Sequence, residues 1–213
     1  MSDFCYIAQN RHSMKSKILE KLSDVTSLHK RAAFADVEQI TTNLGSDFLK
    51  LANERYSCRK FTDAKVAEVD IMALLEAGRR APSAVNNQPV HIWVLESPEA
   101  LARIKETTAY SFDAPLVIVV CARPSEAWVR KYDGKNGAEI DAAIVGTHIM
   151  LEAASRGLGT TWVGSFDPAK LVELFPEMKD DVPVVMFPVG HPDEGPSHRH
   201  DERKSLEELV TRL

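Results

Sequence analysis

The chain has 213 residues, enough for one sizeable domain plus an extension. Its hydrophobic content of 44% is that of a globular protein, and its formal net charge of -5 argues against general binding to nucleic acid or to an anionic membrane. No long apolar run predicts a membrane-spanning helix, and residues 10–17 are polar where a secretory leader needs an apolar core. Cys5, Cys58 and Cys121 show no metal or redox spacing, which fits reduced thiols and a cytoplasmic location.

Residues 1–45 read as a helical extension, with Ile18, Leu22, Val25 and Leu28 forming one apolar stripe. Leu44-Gly45-Ser46-Asp47 marks a boundary, and Ser46 or Asp47 caps a helix running to Arg55. The stretch from Arg55 to Asp63 is expected to be irregular or extended. An amphipathic helix follows from Val69 to Arg80, with Ile71, Leu74, Leu75 and Gly78 on one face. Strand is expected from His91 to Glu96, then a helix opened by Ser97-Pro98-Glu99. Leu116 to Ala122 is a continuous apolar run and predicts a central strand. Trp128, Tyr132 and Asp133-Gly134-Lys135 suggest a partly helical excursion with a turn over residues 125–138. Asp141 to Arg156 predicts a helix apolar around much of its circumference, buried or at a subunit interface, and stopped by Gly157. A strand from Thr160 to Val163 and a short helix capped by Asp167-Pro168 come next. The strand from Val182 to Val189 carries Pro183 and Pro188, which place it near an edge or a bulge. Ser205-Leu206-Glu207-Glu208 is a capping box opening the last helix. The pattern is α+β. Gly157-Leu158-Gly159 starts like a dinucleotide fingerprint, but Trp162 replaces the third glycine and the segment precedes a strand.

Two stretches concentrate polar chemistry. Arg55, Ser57 and Arg59 alternate, so an extended backbone puts two guanidiniums and a hydroxyl on one face, suited to phosphate or ribityl oxygens. Taken alone, the same pattern reads as surface charge. Between two prolines, Ser83, Asn86, Asn87 and Gln88 offer donors and acceptors that suit a flat polar heteroaromatic ligand, or an ordinary helix-to-strand loop. The pair His198 and His200 lacks a third ligand and reads as a solvated loop.

Arg-x-Ser-x-Arg, then a helix, then Pro-Ser-x-x-Asn-x-Gln-Pro resembles the nitroreductase family of FMN-dependent oxidoreductases. Asp141, Leu151-Glu152-Ala153-Ala154, Gly157-Leu158-Gly159-Thr160, Trp162-Val163-Gly164-Ser165-Phe166-Asp167-Pro168 and Gly190-His191-Pro192 follow in the family's order. The resemblance covers the chain from about Phe48 onward, so residues 46–213 are expected to form a nitroreductase-like FMN-binding domain: a central mixed, mostly antiparallel sheet flanked by helices, in a homodimer.

The resemblance implies FMN as cofactor and NADH or NADPH as co-substrate, with ping-pong hydride transfer to a nitroaromatic, quinone or similar small-molecule acceptor. It assigns the chemistry to the flavin and names no catalytic side chain. By the same resemblance Arg55, Tyr56, Ser57 and Arg59 bind the FMN phosphate and pyrimidine edge. Pro82, Ser83, Ala84, Asn86 and Gln88 meet the ring and ribityl chain. Trp162, Val163, Gly164 and Ser165 run along the reactive edge, where a backbone N–H of Gly164 or Ser165 faces the ring nitrogen that takes hydride. Trp162 reads equally well as a core residue. Arg203 closes on the phosphate. No metal, nucleic acid or membrane partner is expected. The same fold also hosts reductive dehalogenases and flavin-fragmenting enzymes, which differ in lid segments here at 125–138. A non-catalytic flavin-binding protein is the reading from another class.

Overall fold

Seven consecutive apolar residues, Leu116–Ala122, are buried at every position in the computed structural model, which describes residues 47–213. A strand apolar on both faces must be covered on both faces, and the rest of the sheet and helices do this. The helical extension expected over residues 1–45 lies outside the described residues.

The described elements run α1 (Asp47–Glu54), α2 (Glu68–Arg80), β1 (Val90–Leu95), α3 (Pro98–Thr107), β2 (Leu116–Ala122), α4 (Ala138–Ser155), β3 (Gly159–Thr160), α5 (Pro168–Leu174), β4 (Val182–Gly190) and α6 (Leu206–Leu209). The chain divides into two units. One is Leu51–Glu202 and holds the sheet; the other includes Arg203–Leu213 and, of the described residues before Leu51, 47–50. In the second, α6 is a single turn in which both halves of the expected capping box form: Ser205 Oγ accepts from the Glu208 N–H, and the Ser205 N–H donates to the Glu208 carboxylate.

Within the larger unit the four strands lie in the order β1-β2-β4-β3, every named pair antiparallel. The mixed character expected of the sheet enters through one isolated parallel bridge, Ser57 to Thr160. Ile118, Val120 and Ala122 face α2 and α4, with Leu74, Ile149 and Phe187 in the same cluster. Val117, Val119 and Cys121 face the other way, into a second cluster with Ile104, Leu171 and Met178. Each large side chain so buried contributes roughly 1.5–3 kcal/mol relative to exposure.

Local chemistry explains most of the boundaries. Ser97 Oγ caps α3 by accepting from the Ala100 N–H, with Pro98 following. Asp167 caps α5 through the Lys170 N–H. Gly157, at φ +70°, ends α4 while the Leu158 N–H returns to the Ala153 carbonyl. Three expectations need correction. The 125–138 segment is not helical: it is a small antiparallel excursion closed at Val129–Asn136, with Gly134 at φ +70° in the turn. Helix α4 starts at Ala138, one turn before Asp141, because the Asn136 side chain accepts the Ala138 N–H from two residues ahead. The strand expected over Thr160–Val163 shrinks to Gly159–Thr160 and resumes only at one bridge, Val163 to Met186. The prolines of β4 mark a bulge, as the register slips opposite Val120 and Cys121, yet β4 is an inner strand.

At the Val182 end of the sheet, Asp181 is nearly inaccessible, its side chain 2% exposed. Its Oδ1 accepts from Arg123 Nε at 2.8 Å and its Oδ2 from Trp93 Nε1 at 2.7 Å, while His91 Nδ1 lies 2.8 Å from Oδ2. Burial pushes the Asp181 carboxyl up, but the hydrogen bonds from Arg123 and Trp93 and the adjacent His91 outweigh it and hold the group below the usual carboxylate range. A folded-state pKa below the unfolded one gives stability that is present above the unfolded value and lost as pH falls through the folded one. Asp181→Asn is therefore expected to lose about 2 kcal/mol at pH 7. The gap to wild type should close as pH drops below about 4, read from denaturant melts across that range.

Candidate functional site

Arg55 to Asp63 is stitched by backbone on both sides. The Cys58 N–H donates to the Thr160 carbonyl at 3.0 Å, the Thr62 N–H to the His191 carbonyl at 2.9 Å, and the Asp193 N–H returns to the Lys60 carbonyl at 2.9 Å. Side chains complete the attachment. The Tyr56 hydroxyl donates to the Glu194 carbonyl at 2.6 Å, and Glu194 Oε1 accepts the Arg59 N–H at 2.6 Å. Tyr56 thus spends its polar atom on the segment after β4, and its ring meets His200 edge-on at 6.4 Å. His200 departs from the solvated-loop expectation, since its Nε2 sits 2.8 Å from the Asn53 carbonyl and its side chain is 15% exposed.

Arg59 keeps its guanidinium exposed, with one nitrogen 3.1 Å from the Ser57 carbonyl. It lines a cavity of about 220 Å³ together with Thr161, Trp162, Val163, Gly164 and Ser165. The last residue of the Arg-x-Ser-x-Arg motif and the whole Trp162–Ser165 motif, far apart in sequence, thus line one cavity. Around Gly164 the space is open: a Cβ built there would meet only the Trp162 indole nitrogen at 3.9 Å, so the backbone is bare toward the cavity. Trp162 satisfies both of its readings. It is 40% exposed at the cavity, and its ring packs edge-to-face on Phe187 at 5.3 Å.

Ser83 and Gln88 line a different cavity, about 230 Å³, with Arg79, Ile92 and Val145. Their loop, which includes Pro82, is built on itself. Ser83 Oγ accepts the Gln88 N–H at 2.9 Å, and Gln88 Nε2 reaches the Asn86 carbonyl at 3.3 Å. Val85, Asn86 and Gln88 all adopt positive φ, and the Ala84 N–H donates to Asp141 Oδ1 at 3.0 Å. Arg203 belongs to the other unit, and the role read for it rests on the resemblance alone.

Tyr110 and Phe112 also line the Arg59 cavity, and neither was singled out in the sequence. Their rings are 6.1 Å apart. The loop that carries them is lashed to the edge motif, since the Thr108 hydroxyl donates to the Ser165 carbonyl at 2.7 Å and the Asp167 N–H to the Thr107 carbonyl at 2.9 Å. Two aromatics two apart, just ahead of a buried strand, were the available signal. The positive φ of Phe112 and Asp113, which turns that loop, has no mark in the sequence.

Residues 52–113 and 108–191 match the nitroreductase family. The chain belongs to that family. A nitroreductase family protein from Clostridium difficile 630 is 35% identical and has a TM-score of 0.71, covering 76% of this chain and 95% of its own. A protein from Methanothermobacter thermautotrophicus, provisionally named NADH dehydrogenase/NAD(P)H nitroreductase, is 33% identical over 165 residues, 72% of this chain and 81% of that one. A provisionally named nitroreductase from Desulfovibrio desulfuricans, solved in complex with FMN, is 25% identical with a TM-score of 0.65 over 78% of this chain and 95% of its own.

In this nitroreductase, contact between the clamp segment and β3 is limited by Gly159. A Cβ there would lie 2.7 Å from Cys58 Sγ and 2.9 Å from Cys58 Cβ. Gly159→Ala must push Cys58 away and stretch its bond to Thr160. An overpacking cost of about 1–3 kcal/mol is expected, visible as a lowered melting temperature. Gly157→Ala, where nothing lies within 4 Å but φ is +70°, should cost less, roughly 1 kcal/mol.

Proposed function

We propose that the protein is an FMN-dependent oxidoreductase that takes hydride from NADH or NADPH and passes it to a nitroaromatic, quinone or similar small acceptor. The observation that carries the reading is the cavity that Arg59 lines together with Gly164, whose backbone is bare toward it, and Ser165. A cation and an open peptide backbone in one cavity fit a flat ring with an electron-rich carbonyl edge. Family membership and the FMN complex of a related protein support the same reading.

The bound flavin would supply the hydride chemistry. The chain's residues hold and orient it. Arg55, Ser57 and Arg59 are assigned to the phosphate and the pyrimidine edge, Ser83, Asn86 and Gln88 to the ring and ribityl chain. The Gly164–Ser165 backbone is assigned to the reactive edge. There the Thr108 hydroxyl donates to the Ser165 carbonyl and so anchors the chain where it leaves the edge motif, before ligand arrives.

The purified protein should take up FMN in preference to FAD, and either NADH or NADPH should bleach the bound flavin in stopped flow. Arg59→Ala removes a charge-assisted hydrogen bond worth roughly 1.5–3 kcal/mol, so FMN affinity should fall about tenfold or more. A protein that binds no FMN, or an Arg59→Ala variant with wild-type affinity, contradicts the assignment.

A homodimer is part of the proposal. At about 220 Å³ the cavity of one chain is smaller than the roughly 300–1,000 Å³ usual for ligand sites, which fits a site that a second copy completes. Apolar side chains left exposed near the Ala84–Asp141 contact support the same conclusion: Val85 is 70% exposed and Ile140 51%. Sedimentation of the FMN-loaded protein at micromolar concentration should give two chains per particle. An active, flavin-loaded single chain would contradict this.

A further inference from the structure

Asp141 is the most conspicuous buried polar group that the proposed function leaves unused. It stands in the first turn of α4, 3% exposed. An acid in a first helical turn ordinarily faces the helix N-terminus or solvent. This one turns away from both. Its Oδ1 reaches across to the Ala84 N–H, 57 residues away in sequence, and its Oδ2 has no hydrogen-bond partner among the described residues.

The loop it holds is an unfavourable one. Val85 at φ +48°, Asn86 at +59° and Gln88 at +54° occupy a region that side chains with a Cβ avoid, a β-branched valine above all. Such conformations persist only where surrounding contacts over-determine them, and they gather at ligand sites. Ser83 Oγ ties the far end of the loop to the Gln88 N–H, and Asn87 Nδ2 ties its outer side to the Glu126 carbonyl. The near end, at Ala84, is tied by Asp141. A buried carboxylate oxygen without a donor is costly to the folded chain, and its retention needs a compensating role.

We propose that Asp141 is a positioning residue of the flavin site: its buried carboxylate pins the Ser83–Gln88 loop through the Ala84 N–H and holds it in the strained conformation that the cofactor meets. This rests on the assignment of Ser83, Asn86 and Gln88 to the flavin made above. Asp141→Asn separates the role from simple structural support. The amide has the carboxylate's shape and keeps an oxygen for the Ala84 N–H. It removes the buried charge, which relieves the unpaired oxygen and weakens the charge-assisted bond that holds the loop.

The test is the FMN dissociation constant of the full chain, measured where the apo protein is folded, beside the apo melting temperature. Asp141→Asn is expected to melt no lower than wild type without FMN and to bind FMN about fivefold more weakly. A lower apo melting temperature with FMN affinity within twofold of wild type would show structural support alone and overturn the proposal. Ala84→Pro provides the second arm should the Asn variant fail to fold. It deletes the donated N–H and leaves Asp141 in place, and Ser83 before it is already extended at φ -136° and ψ 161°, as a residue preceding proline must be. It too should weaken FMN binding about tenfold, and an unchanged affinity would overturn the role of that contact. Wild-type protein that binds no FMN ends the flavin reading and this inference together. Wild-type binding with both variants unaltered removes Asp141 alone.

Discussion

The segment that carries Arg55, Ser57 and Arg59 lies so close to β3 that no side chain fits between them. Gly159 is bare there because Cys58 occupies the space a Cβ would take. The closeness lets the Cys58 N–H reach the Thr160 carbonyl and makes the Ser57–Thr160 bridge possible. Through that bridge the clamp segment becomes an extra rail on the edge of the sheet, set by hydrogen bonds and by contact rather than by its own propensity. Two residues beyond Thr160 the chain leaves the sheet at Trp162, so the clamp and the edge motif are brought to the same cavity by a single strand of two residues. The position of the cavity lining is therefore set by β3, and that of β3 by β4, to which it pairs.

The elements with strong local chemistry could be read from the sequence. Leu116–Ala122 is apolar at every position, which leaves a central strand as the natural reading. Ser97-Pro98, Asp167-Pro168, Gly157 and the Ser205 capping box each satisfy helix ends by groups adjacent in sequence. The misread places are those where the satisfying group comes from elsewhere. Asp141 looks like a helix-start acid but serves Ala84, while Asn136 starts the helix. The 125–138 stretch has the composition of a mixed segment, and only its bridge, turn and the bond from Asn87 to Glu126 give it a shape.

The same division runs through the site. Arg59 and the Trp162–Ser165 stretch were identified by motif, and the fold puts them on one cavity wall. Ser83 and Gln88 face a separate cavity in the single chain, an arrangement no motif encodes. Tyr110 and Phe112 carry no motif at all: what brings them in is the bond from Thr108 to Ser165 and a backbone reversal at Phe112 and Asp113. A family pattern names the residues expected at a shared ligand. The side chains that set the walls depend on long-range bonds.

The clamp's partners have an unusual order along the chain. Arg55 to Phe61 is made early, yet its backbone is satisfied by Thr160, His191 and Asp193, and its side chains and amides by Glu194, 135 residues beyond Arg59. During synthesis the segment leaves the ribosome with none of these groups in existence, and Cys58 and the arginines stay solvated until the last strand has emerged. Ordering of the segment is thus coupled to completion of the chain. A nascent chain halted before β4 lacks the strand to which β3 pairs and the groups at His191, Asp193 and Glu194, so the segment proposed to hold the phosphate has no fixed frame until the chain is nearly complete.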